Sequence, residues 1–339
     1  MATSKFTLRT LGEDKYPQWD EFVQGSPQGT IFQRSIYIRI IQSVFHRDPQ
    51  IIAVQDPDNI VGGIVLYPLQ KFGIRYFTQP FYLPYNGFIL SDFASTKNYA
   101  KRMSSQQHVI ELMQNYIEQQ FDFGELYLPP DISDFRSLIW KGWKFSPEFD
   151  LEMDIRKPKD LSKLIRRNQM KHIQKFEKIS PHFGEIQDPQ ILFNLIDQSY
   201  RYHKTSPPIP ENQFVRLIKG IIDNKIGRIW GIQVEGRWIA AMLVIEDFPV
   251  YYSLFSGRDT EYADSEGKIY LYWKILNHYR NNNFEIFDML GAMSPSISRV
   301  KIEMGGKLKR ADKITYFKSG LYHLLFQLQS RRKLKERLL

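Results

Sequence analysis

The chain has 339 residues, 42% of them hydrophobic and 14% aromatic, with no cysteine and a formal net charge of +9 at pH 7. That length exceeds what one hydrophobic core usually supports, so two domains are expected, and the composition excludes a disordered or collagen-like chain. Without cysteine there is no disulfide framework, thiolate metal site or cysteine nucleophile.

The stretch through Phe22 lacks the apolar segment of a signal peptide, and no uncharged run has the length of a bilayer span. A cytoplasmic chain without a transmembrane segment is therefore expected. Residues 154–178 carry nine Lys and Arg against three acids, residues 299–313 six against two, and residues 331–337 five against one. A local excess of this kind suits a phosphate-bearing partner or peripheral contact with an anionic membrane, and equally suits solvated helix faces.

In chain order, residues 6–11 alternate as a strand, and two short helices follow at 19–23 and 36–45. Strands are expected at 50–54, 60–69 and 74–78, with a turn at Asp56-Pro57-Asp58-Asn59. Pro84-Tyr85-Asn86-Gly87 interrupts the next extended stretch. A long helix over 97–121 precedes a strand at 125–128, a helix at 134–141 and a strand at 149–155. The order then restarts. A basic helix at 161–178 leads to a strand near Gly184, helices at 191–202 and 212–223, and strands at 228–234, 238–246 and 250–255. A long helix at about 265–280, a strand at 285–290, a short helix, a strand at 313–317 and a basic terminal helix complete the chain.

One arrangement thus occurs twice at a spacing of roughly 150 residues, which is a domain duplication and not a solenoid. The fold class is α/β (α+β), with mixed, mostly antiparallel sheets flanked by helices and the boundary near Arg156. The domains are residues 1–155 and 156–339.

The most informative stretch runs from Phe287 to Arg310. Ser294 and Pro295 start a helix, Gly305-Gly306 stops it, and Lys301 lies inside it just after the strand bearing Asp288. None of the seven histidines has the i, i+4 spacing of a helical metal pair, so no metal is expected. Gly-x-Ser-x-Gly, P-loop and Gly-x-Gly-x-x-Gly patterns are absent.

The duplicated order, the basic run from Leu164 to Lys175, and the pairing of Phe287-Asp288-x-x-Gly291 with Lys301-x-x-x-Gly305-Gly306 resemble the FemAB-like, CelD- and BioF2-like branch of the GNAT acyltransferases. The resemblance implies two tandem GNAT-like domains, the first on the acceptor side and the second on the donor side. It implies an N-acyltransferase that moves an acyl group from an activated carrier, acyl-CoA, to an amine, in cell-envelope or polysaccharide biosynthesis. Lys301 would steady the charge on the acyl carbonyl, and Asp288 would accept the proton of the attacking amine.

By the same resemblance, substrate contacts fall to Arg166, Arg167 and Lys171 on the basic helix and to Tyr85 and Asn86 in the first domain. Tyr252, Ser256 and Gly257 join them from a strand, and Gly267 is the one glycine that fits the coenzyme-A loop pattern. Partners would be a small-molecule or envelope-precursor amine, with charged tRNA as a further candidate and no DNA. Two alternatives stay open: an aminoacyl-tRNA-dependent peptidyltransferase, and a non-catalytic binding module on the duplicated fold.

Overall fold

The computed structural model describes residues 6–80, 82–93, 98–129, 132, 134–156, 159–262, 266–320 and 322. The basic run at 331–337, with the terminal helix expected there, lies outside the described residues, as do Asp264 and Ser265. The chain forms two compact units, Met1–Pro147 with Ala311–Leu339, and Glu148–Arg310.

In the first unit the strand Thr7–Leu11 pairs antiparallel with Gln50–Asp56, which pairs with Asn59–Leu66, which pairs with Ile89–Leu90. Pro68–Lys71 pairs antiparallel with Ile74–Phe77, which runs parallel to Phe123–Leu128. The long helix Tyr99–Gln120 begins at Asn98, whose side chain accepts from the Lys101 N–H at 3.0 Å. It buries Val109, Met113 and Ile117, one residue per turn on a single face. These meet Ile52, Ile64, Leu126 and Ile314 in one apolar cluster.

In the second unit, His182–Ile186, Gly227–Val234, Arg237–Asp247 and Val250–Arg258 form an antiparallel meander. The helix Glu266–Asn281 crosses over to the strand Ile286–Asp288, which runs parallel to Val250–Arg258. Phe287, Tyr251 and Tyr279 stack face to face beneath it, with centroids 4.5 and 4.3 Å apart. The helix Pro189–Tyr202 packs on the other side of the meander. Gly257 has no side chain because a Cβ there would lie 2.5 Å from the Ile196 nitrogen of that helix. The register between Arg237–Asp247 and Val250–Arg258 slips between Leu243 and Val244, so Leu254 is an extra residue on its strand.

Each unit contains antiparallel strands, then a long helix, then a strand that pairs in parallel, and each is closed by an antiparallel strand from elsewhere in sequence. Residues 152–154 flank Ile286–Asp288, and residues 312–317 flank Phe123–Leu128. A single cut at 155/156 would assign both closing strands the other way round. The expected basic helix is in two pieces, a turn of 3-10 helix at Leu161–Lys163 and an α-helix at Arg167–Glu177. Arg166 is extended between them, with ψ at 135°.

Candidate active site

The site is built where the parallel pairing of the second unit ends. Val250, Tyr251 and Tyr252 pair with Ile286, Phe287 and Asp288, and there the two strands part. Val250–Arg258 continues along Arg237–Asp247, whereas the chain beyond Asp288 follows its other neighbour, the Met289 N–H donating to Leu151 O at 2.7 Å and the Ala292 N–H to Phe149 O at 2.8 Å. The Ser253 hydroxyl spans the parting and donates to Met289 O at 3.1 Å.

Asp288 is 5% exposed at this point. Its Oδ1 accepts from the Leu290 N–H at 2.7 Å, and Leu290 takes a positive φ of 54° to present that N–H. Burial, aided by the Asp150 and Glu152 carboxylates, pushes the Asp288 carboxyl up to about 7, against the Leu290 N–H and the Lys309 ammonium, which lower it. Register places Glu152 opposite Asp288, and the strand's two-residue period puts Asp150 on the same face. Glu152 in turn holds Lys309 at 2.7 Å.

Lys301 comes from the helix Pro295–Glu303 and is buried. Its ammonium donates to three successive carbonyls, Met289 at 2.6 Å, Leu290 at 2.9 Å and Gly291 at 3.0 Å. Burial lowers Lys301 to about 8, and Asp150 and Asp288 oppose that shift. Gly305 makes the hard stop behind it, at φ 101°.

Two further groups were not marked by the sequence reasoning. Lys268, in the first turn of Glu266–Asn281, is pushed down to about 8 by burial and then by the like charges of Lys301 and Arg258. Asp150 is the second. Residue type alone signalled neither, although Lys268 directly follows the Gly267 that was singled out.

Residues 164–295 match the family model described as an acetyltransferase (GNAT) domain. Over that stretch the chain is similar to a GNAT acetyltransferase domain. No curated protein matches the chain. A solved structure of FemX is 10% identical, with a TM-score of 0.72 over 94% of this chain and 99% of that one. L-PGS from Bacillus licheniformis is 11% identical, at 0.58 over 95% and 97%. A tandem GNAT protein from the clavulanic acid biosynthesis pathway is 10% identical, at 0.54 over 93% and 99%. The fold is accordingly the one these three structures share, a GNAT fold over nearly the whole of each chain.

Within the matched residues, Asp288 and Tyr252 are brought side by side by register, and Lys301, just beyond them, is brought to the loop that follows Asp288. Ser256 is half-buried on the parting strand, and Gly257 serves the packing of Pro189–Tyr202. A Cβ at Gly267 would lie 2.7 Å from Ile239, so this glycine seats the long helix on the sheet. The neighbouring Glu266 carboxylate is taken up by His172 at 2.8 Å and Lys175 at 3.2 Å. Glu266 is thus already held by two side chains of the basic helix; burial pushes its carboxyl up, and their hydrogen bonds outweigh burial and keep it below the usual carboxylate range.

Arg166 is engaged as well. Its guanidinium meets Glu303, whose other oxygen accepts from Gln169 at 2.6 Å. Arg167 and Lys171 stay exposed on one helix face. Tyr85 and Asn86 belong to the first unit and are buried, and Asn86 is used by the backbone, its Oδ1 accepting from the Tyr127 N–H at 2.9 Å. Among the described residues, no group of three or more His, Asp or Glu side chains could hold a metal ion, and no helix is long and apolar enough to cross a membrane.

Proposed function

We propose that the chain transfers an acyl group from acyl-coenzyme A to a primary amine in the cytoplasm, the amine belonging to a small molecule or a cell-envelope precursor. The observation that carries this reading is Asp288, a buried carboxyl near neutrality at the parting of two parallel strands. An amine must shed a proton as it attacks, and a base works best when its own pKa lies near the operating pH.

In the proposed reaction the amine nitrogen bonds to the thioester carbonyl carbon and its proton passes to the Asp288 carboxylate. The C–S bond then breaks, and the departing thiolate takes that proton from the Asp288 carboxyl, leaving as the free thiol with the carboxylate restored. Lys268, at the start of the long helix and close to two other cations, is the donor-side cation of this scheme. Cations there favour a phosphate-bearing donor, as does the positive end of the helix.

Thiol release from acetyl-CoA, followed with a panel of amines, tests the reading. Asp288→Asn is expected to lower kcat by roughly 10²–10⁴, with the activity of the parent protein falling on the acid side of about pH 7. Lys268→Met is expected to raise the donor KM with kcat nearly intact. Failure of every acyl-CoA to react would remove the coenzyme-A donor. The exposed Arg167 and Lys171 favour a second reading, in which charged tRNA is the donor.

A further inference from the structure

The ammonium of Lys301 has three N–H donors, and three carbonyls accept them at 2.6, 2.9 and 3.0 Å. Nothing is left over to face a reacting carbonyl. The three acceptors are consecutive and belong to the one segment whose course determines Asp288. Met289 O is also tied by Ser253 at 3.1 Å, and the Leu290 N–H is the donor that grips the Asp288 carboxyl. Carbonyls of a turn with φ at 54° repel one another when aligned on one side, and a central cation removes that cost.

We propose that Lys301 is a positioning residue, which gathers the carbonyls of Met289, Leu290 and Gly291 so that the Leu290 N–H holds the Asp288 carboxyl where an amine can reach it. This rests on Asp288 being the base. Lys301 acts through the loop and donates nothing to the acyl oxygen. The helix Pro295–Glu303 is then a strut, tied at its end by Arg166 and Gln169 through Glu303.

The charged and titratable groups facing Asp288 fix the direction of the pH effect. They are Asp150 and Glu152 from the strand Lys144–Asp154, Lys309 from Lys307–Phe317, Tyr252 from Val250–Arg258, and Lys301 itself. The Leu290 N–H lowers the carboxyl's pKa, so a loosened loop withdraws that influence and the pKa rises.

The test is amide hydrogen exchange across 286–294, with a ¹³C titration of the Asp288 carboxyl, in the full chain carrying Lys301→Met and, separately, Lys301→Arg. Arginine keeps the charge but its flat fork cannot reach three consecutive carbonyls from one point. For both variants we expect exchange at 289–292 faster by roughly ten-fold or more and an Asp288 titration moved to higher pH. Should Lys301→Met fail to fold, Lys301→Arg decides alone. Exchange and titration at parental values in Lys301→Arg would overturn the proposal and return the ammonium to the acyl oxygen. Neither readout needs a substrate, so a failure to find acyl transfer with any donor counts against the proposed reaction and leaves this result to stand or fall by itself.

Discussion

A buried carboxyl with two others beside it resists ionising, and Asp288 bears that cost within the folded chain. Its folded pKa, about 7, lies above the ordinary 3.8. The folded state therefore binds more protons than the unfolded state between those values, and this group's contribution to stability is lost as pH rises through about 7. Asp288→Asn should accordingly raise the melting temperature at pH 8 and change it little below about pH 3, where the carboxyl is protonated in the folded chain and largely protonated in the unfolded one. A melting temperature unchanged at pH 8 would show that the carboxylate is not strained there. Such a gain on removing a site residue is the usual mark of a group kept for activity at the expense of stability. Lys301 was singled out because it stands on a helix bounded by Pro295 and Gly305, and Asp288 because it lies on the strand just before that helix. What they touch was not legible. The partners of Lys301 are backbone carbonyls, which every residue has, and Asp150 reaches Asp288 only through strand register.

At the scale of elements, periodicity located the helices and strands well, since each half-buried element writes its face into the sequence. It missed the break at Arg166, where six cations in a helical pattern hide an extended residue that pairs with Glu303. That pairing depends on a helix 137 residues away. Gly305 gives a direct test of how firmly the Pro295–Glu303 helix is set. At φ 101° a side chain is strained, and a Cβ would lie 2.8 Å from Met153 Cε and 3.0 Å from Leu164 O. Gly305→Ala should cost about 1–3 kcal/mol in a denaturant melt. A cost near zero would mean that the turn relaxes freely and that the helix end is not fixed by it.

For the molecule as a whole, the charge excess is less available than its count suggests. Arg166, Lys175 and Lys309 are taken up by Glu303, Glu266 and Glu152. The exposed remainder on the basic helix includes Arg167 and Lys171. Reversing those two to Glu should weaken binding to a polyanion such as tRNA and flatten its salt dependence, with a slope change of about two. An unchanged slope, read from binding at several salt concentrations, would assign both charges to solvation.

The exchange of closing strands also sets an order of assembly. Residues 148–310 are one uninterrupted stretch, so that unit has all its strands once Arg310 has left the ribosome. The unit synthesised first is finished last, because Phe123–Leu128 waits for residues 312–317. Until then its open strand edge is available to other chains. Release from a stalled ribosome before Asp312 would yield a polypeptide whose second unit, residues 148–310, is whole and whose first unit is the hazard.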